Sequence, residues 1–355
     1  MNTSDFLAEF RSPNTQKTYR IALAQFFKHQ GTTPEEYLAT QHDYKHDLII
    51  FARFLESEQF RTPKTIRCYV GAIVTYLDRN GIELPRKFWK ELGVANVAMT
   101  NDEIPSKDTL RSILQHCDVC GKALFLLGAS SGMRIDDILT LRLETVKGQL
   151  GKQNPKLTFI QQKTRQKQVA FFTRECAEAI GEWIKIRDAW LSWATQHCQA
   201  RGIGDKDGDD DRLFPFEYAK ALTMWNRAVE ASGNVKKDEN TGRQVLHIHS
   251  LRKYFRTHLT MAGVEPNIAE SFLGHIQGLR EYHKYDEDYI TRQYAMAEAK
   301  ELRVMVDVVE SAETTHTIQV LQEKIRILED AMRRTLIQDL EAHPESKRVW
   351  GDLAH

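Results

Sequence analysis

Apolar positions recur with helical periodicity over most of the chain. In "NTQKTYRIALAQFFKHQG", Tyr19, Ala22, Leu23, Phe26 and Phe27 fall at i, i+3, i+4, i+7 and i+8, which gathers them on one stripe of an amphipathic helix. Asn14 or Thr15 can cap its start and Gly31 can end it. "HDLIIFARFLESE" reads as a second helix. "TPKTIRCYVGAIVTYLDRNG" reads as a third, opened by Pro63 and closed by Asn80-Gly81, with Lys64, Arg67 and Arg79 on its outward side. The polar, proline-bearing "VAMTNDEIPSKD" predicts a linker. Beyond it, "KLTFIQQ" and "KQVAFFT" have strand character, and "KTRQ" between them predicts a hairpin turn. Helical patterns dominate the rest. Near the C-terminus Ile318, Leu321, Ile325, Leu328 and Met332 alternate spacings of three and four, a short a/d seam that suits self-association or packing on the chain's own core.

The expected fold is therefore mostly α with a small antiparallel β-sheet. The expected organisation is a helical domain over 1–97, a linker over 98–106, a second domain over 107–305 and a C-terminal helix over 312–340.

Composition narrows the class. The 355 residues suffice for two domains with real cores, and 41% hydrophobic with 28% charged residues suits a soluble globular protein. No apolar run is long enough to span a membrane, and "MNTSDFLAEF" lacks a secretory pattern. Five scattered cysteines suggest a reducing, cytoplasmic setting rather than a disulfide framework. The formal net charge of zero gives no global support for nucleic-acid binding, so any basic surface must be local. The acidic run "DKDGDDDR" reads as a solvated loop.

Four segments carry candidate chemistry. In "SSGMRIDDILTLR", Arg134 follows Gly132 at the head of a periodic helix, where guanidinium and backbone N–H groups can meet an anion; pairing with Asp136 or Asp137 is the structural alternative. Lys163 sits at the hairpin tip, able to reach into a groove and release a proton, or simply to face solvent. In "HIHSLRKYFRTHL", His249 and Arg252 lie three apart, one helix face offering a proton carrier and a phosphate clamp. No carboxylate or cysteine stands near these histidines at a familiar ligand spacing, and the C-x-x-C of "HCDVC" has no matching second pair, so no metal is expected. The fourth segment, "LGHIQGLREYHKY", offers His275, Tyr282 and Tyr285.

The order of these residues is more specific than any one of them. Arg134 in "SGMRIDDIL", Lys163 in "QQKTRQK", His249 and Arg252 in "HSLR", His275 in "LGH" and a tyrosine shortly after resemble the catalytic constellation of the tyrosine recombinase (phage-integrase) family. Asp137 stands where that family usually has an acid, and "SPNTQKTYRIALAQF" looks like its SAM-like core-binding domain. The resemblance covers roughly residues 5 to 300. It implies a site-specific DNA recombinase that forms a 3′-phosphotyrosyl intermediate and exchanges strands through a Holliday junction. It also implies no cofactor, double-stranded DNA as partner, a homotetramer on that DNA, and a nucleoid-associated cytoplasmic protein. Arg134 and Arg252 would clamp the scissile phosphate, Lys163 would protonate the leaving oxygen, His249 would assist the tyrosine, and His275 would bond a phosphate oxygen. Lys64 and Arg67 would touch the DNA backbone. A related transposase or telomere resolvase, or an inactive architectural DNA-binding protein, is the alternative.

The nucleophile departs from the family's spacing of about nine residues after the second histidine. That position is Lys284, with Tyr282 and Tyr285 on either side. "GLREYHKYDEDYITRQY" resembles an archaeal-type variant, in which matching Tyr294 to a helix end places the nucleophile at Tyr282. Tyr282 is thus the first choice and Tyr285 the second, with Tyr289 and Tyr294 as remaining options.

Overall fold

The computed structural model describes residues 1–97, 99, 101–201, 207–274, 286–305 and 324. They divide into two compact units. One comprises residues 1–104 with 234–247; the other comprises 105–233 with the described residues from 248 onward.

The first unit is built on α1 (Thr3–Ala8), α2 (Pro13–Gln30), α3 (Pro34–Ala39), α4 (Tyr44–Ser57), α5 (Pro63–Arg79) and α6 (Phe88–Glu91). The stripe on α2 is its buried face: Ala22, Leu23, Phe26 and Phe27 are buried, and the last three pack with Phe51, Ile73, Tyr76 and Leu77. The helix begins two or three residues earlier than Asn14 or Thr15 would set it. Ser12 is the cap, its hydroxyl accepting from the Thr15 N–H, and Pro13 opens the first turn without needing a donor. Gly31 ends it in the left-handed region at φ 66°. The 234–247 segment belongs to this unit through bonds to the chain just before 105. Asn101 N–H donates to Asp238, Glu103 N–H donates to the Val245 carbonyl at 3.1 Å, and His247 pairs with Asp102 at 3.1 Å.

The second unit comprises α7 (Lys107–Gln115), α8 (Val119–Ser131), α9 (Ile135–Ile138), α10 (Leu143–Lys147), β1 (Lys156–Ile160), β2 (Lys167–Phe171), α11 (Arg174–Arg201), α12 (Tyr218–Ala231), α13 (Ser250–Met261), α14 (Pro266–Leu273) and α15 (Glu287–Ala297). A π-helical turn at Glu298–Leu302 follows. Helix α8 is apolar on nearly every side, and α7, α11, α12 and α13 all pack around it. Gly128 lets α13 come close, since a Cβ there would lie 3.2 Å from Leu251. The two strands pair antiparallel, Lys156 opposite Phe171 and Ile160 opposite Lys167. Their turn is tight enough to hold Arg165 at φ 56°.

The acidic run is more than a solvated loop. Asp205 lies outside the described residues, but Asp210 takes the Arg212 guanidinium, and Asp211 pairs with Arg142. Buried Arg187 of α11 donates to the Asp210 and Arg212 carbonyls. Cys120 is core of α8 and Cys117 is half-buried; Asp118 between them caps that helix. No helix among the described residues is long and apolar enough to cross a membrane. The seam over 312–340 lies outside the described residues, apart from Lys324.

Candidate active site

The ends of α8 and α14 and the β-hairpin meet in the second unit, and Arg252 ties the two helix ends together. Helix α8 stops at Gly132, which turns into the left-handed region at φ 63° and has no room for a side chain against the Phe255 ring. The turn delivers Arg134 to the head of α9. From α13, Arg252 donates through Nη1 to the Gly132 carbonyl and through Nη2 to the Leu273 carbonyl, both at 2.5 Å. The second bond takes one of the carbonyls that the end of α14 leaves without a helical partner. Gly274 follows in the left-handed region at φ 69°.

The third element is the β-hairpin. Asp137, 1% exposed, accepts the Gln162 N–H at 2.7 Å through Oδ1, and its Oδ2 faces Arg134 Nη1 at 3.9 Å. That separation is an ion pair without a hydrogen bond. Arg134 Nη1 and Asp137 Oδ2 are both buried atoms with no hydrogen-bond partner.

The electrostatics match this geometry. Arg252 is 6% exposed, and burial first, then the charge of Arg134, pull its pKa down to about 10, against the opposing pull of Asp137 and Glu270. It remains protonated at neutral pH. Burial raises the Asp137 pKa, while the Gln162 N–H and both arginines work to lower it. Two cations thus sit close enough to repel, and one desolvated carboxylate interacts with both. An anion bound here would lower the energy of both arginines.

The remaining expected residues fall as follows. Lys163 is exposed in the turn between the strands, next to the Gln162 that Asp137 holds. His249 is exposed at the head of α13, one turn before Arg252. His275, Tyr282 and Tyr285 lie outside the described residues, immediately after Gly274. Tyr294 is ruled out as a nucleophile. It is 0% exposed, stacks on Phe171, and donates its hydroxyl to the Ser130 carbonyl at 2.8 Å. Burial also holds its pKa well above the usual phenol value. Tyr289 is partly buried against the same core, with Arg292 near its ring.

In the first unit Lys64 is exposed at the start of α5. Arg67 is half-buried and also has partners within the unit: its guanidinium donates to the Val94 carbonyl at 3.0 Å and lies over the Trp89 ring at 4.9 Å. Among the described residues no cluster of histidine, cysteine and carboxylate side chains could hold a metal ion. Sequence reasoning missed Gln162 and Gln168. Gln168 alone left a signal, a polar residue at an inward strand position.

The family model for the phage integrases matches residues 105–287, just over half of the chain, and so spans all of this site. The chain belongs to the phage integrase family. Its activity class is therefore that of a tyrosine-type, site-specific DNA recombinase. Solved integrase structures share the fold at low identity. A lambda integrase tetramer bound to a Holliday junction has a TM-score of 0.56 and 12% identity, covering 80% of this chain and 77% of that one. A lambda integrase dimer bound to a COC′ core site has a TM-score of 0.55 and 12% identity, covering 82% and 92%. The Tn1549 transposon integrase in complex with transposon right end DNA has a TM-score of 0.53 and 16% identity, covering 83% and 98%. No curated protein sequence matches the chain. In this integrase-family chain the arginines, the hairpin and the end of α14 form one connected corner.

Proposed function

We propose that the chain recombines double-stranded DNA at a specific site, with Arg134 and Arg252 holding the scissile phosphate. The observation that carries this reading is the arginine pair. Two like charges share a desolvated corner, and a buried guanidinium N–H of Arg134 has no acceptor. A phosphodiester oxygen supplies that acceptor, and the extra charge of the transition state strengthens the interaction.

The reaction then needs only groups of this chain. Tyr282, or Tyr285 as second choice, attacks phosphorus; its phenol proton passes to His249 as the O–P bond forms. The P–O5′ bond breaks, and the Lys163 ammonium gives its proton to the leaving oxygen. His275 bonds a non-bridging oxygen. The bond energy is kept in the 3′-phosphotyrosyl ester, so a 5′-hydroxyl from a second duplex can reverse the step without ATP or a metal. The first unit acts as the core-binding domain, with Lys64 on the phosphate backbone. The active assembly is a homotetramer on DNA in the nucleoid, to which the 312–340 segment contributes. The lambda integrase tetramer of the same fold supports this assembly.

The test mixes two labelled duplexes carrying the cognate site, in the presence of EDTA. Junction intermediates and recombinant strands are expected. Hairpin ends or unjoined transfer products would assign a resolvase or a transposase instead. Binding without any cleavage would leave an architectural protein.

A further inference from the structure

The general-acid role assigned to Lys163 raises the question of what holds its hairpin in place. A two-stranded hairpin is marginal on its own. At its base Leu157, Ala170 and Phe171 are buried, but at the tip Gln162, Lys163 and Arg165 are exposed. Between base and tip stands Gln168, an amide 4% exposed that pairs with Phe159 across the ladder and shares the inward face of its strand with Ala170. Its Nε2 donates to the Ser271 carbonyl at 2.6 Å and to the Phe272 carbonyl at 3.1 Å. These carbonyls lie in the last turn of α14, just before the Leu273 carbonyl that Arg252 takes.

The hairpin lies flush on this corner. A Cβ on Gly274 would sit 3.0 Å from Gln168 Oε1 and would run into the Gln161 carboxamide. Gln161 is itself buried, and its Oε1 accepts the Thr164 hydroxyl at 2.5 Å, one residue beyond Lys163.

Gln168 therefore joins two parts with unequal support. The α14 side is fixed without it, by Arg252 and by the buried Ile268, Ala269, Phe272 and Leu273. The hairpin tip is held by the Asp137 bond to Gln162 and by this amide contact. Losing the amide would free the tip rather than the corner. We propose that Gln168 is a positioning residue for proton delivery by Lys163, fixing the hairpin against the carbonyl end of α14. The proposal rests on the reading of Lys163 as the proton donor.

The experiment separates the two. A nicked cognate duplex is prepared in two forms, one with the ordinary 5′-oxygen and one with sulfur bridging phosphorus and the 5′-carbon. Attack on the second form breaks a P–S bond. The thiolate leaves without a proton, because a thiol has a pKa of about 8.5, far below that of an alcohol. Lys163→Ala should lose roughly 10²–10⁴-fold in cleavage rate on oxygen and recover on sulfur. Gln168→Leu should lose roughly 10–10²-fold on oxygen, the scale of an ångström of misplacement, and recover on sulfur as well. Gln168→Asn, which keeps the amide but withdraws it by one methylene, is read in the same way where the leucine variant does not bind DNA. Equal losses on both substrates, or no loss on oxygen, overturn the role of Gln168 while recovery of Lys163→Ala leaves the lysine assignment intact. If Lys163→Ala does not recover on sulfur, the lysine assignment fails and the proposal falls with it.

Discussion

Gly132→Ala should be far more costly than an ordinary glycine substitution. At φ 63° an alanine pays a left-handed penalty of about 1–2 kcal/mol. Its Cβ would also overlap the Phe255 ring and stand 3.0 Å from Leu273 Cδ2, both in the buried core. Overpacking of that kind adds about 1–3 kcal/mol. The sum is about 2–5 kcal/mol. Gly263→Ala supplies the control in the same unit: φ is 84°, but nothing lies within 4 Å of the added methyl, so only about 1–2 kcal/mol is at stake. Urea titrations followed by tryptophan fluorescence report on this unit through the buried Trp183 and Trp225. With a slope of about 2 kcal/mol/M, Gly132→Ala should lower the midpoint by roughly 1–2.5 M and Gly263→Ala by less than about 1 M. Cleavage should fall too, because the Gly132 carbonyl is one of the anchors of Arg252 and Arg134 lies two residues on. Equal midpoints for the two variants would refute the packing argument.

Three further outcomes follow from particular contacts. Tyr294→Phe should destabilise the second unit by about 0.5–1.5 kcal/mol, yet still form covalent complex with DNA; loss of the complex in a folded variant would restore Tyr294 as a nucleophile. Arg67→Ala should cost the first unit about 1–3 kcal/mol in urea melts, whereas Lys64→Ala should leave stability unchanged and reduce the salt slope of DNA binding by about 1; a reversed pattern contradicts the assignments. Burial lowers the His258 pKa, although its bond to Glu301 opposes this, and Lys107 and Tyr254 also face the ring. Since the folded value lies below the unfolded value of about 6.5, the unfolded state takes up the proton more readily and stability falls as pH drops through that value. His258→Gln should flatten that part of the stability profile, and an unchanged profile would contradict it.

The parts of the fold that were legible in the sequence are those set by local physics. The α2 stripe, the left-handed stop at Gly31, the proline start of α5 and the two strands around "KTRQ" all follow from periodicity and backbone preference. Where a side chain points within the tertiary structure was less legible. Lys64 and Arg67 look alike on a helix wheel, but only Arg67 finds Trp89 and a carbonyl more than twenty residues away. Asp210 looks solvated in a run of acids until α11 brings Arg187 beneath it. The order of arginine, lysine and histidine motifs suggested a phosphate site. That Arg252 closes it by holding Gly132 and Leu273 depends on contacts 120 and 21 residues apart, which no spacing rule reaches.

The most direct measurement uses a cognate duplex nicked just beyond the cleavage site, so that the short product strand diffuses away and the covalent complex is trapped. In EDTA, the wild-type chain should give a denaturant-resistant protein–DNA band, Tyr282→Phe should lose it, and Tyr285→Phe should keep it. A band lost only with Tyr285→Phe moves the nucleophile and leaves the recombinase account standing. A wild-type chain that binds this DNA but gives no band contradicts the account.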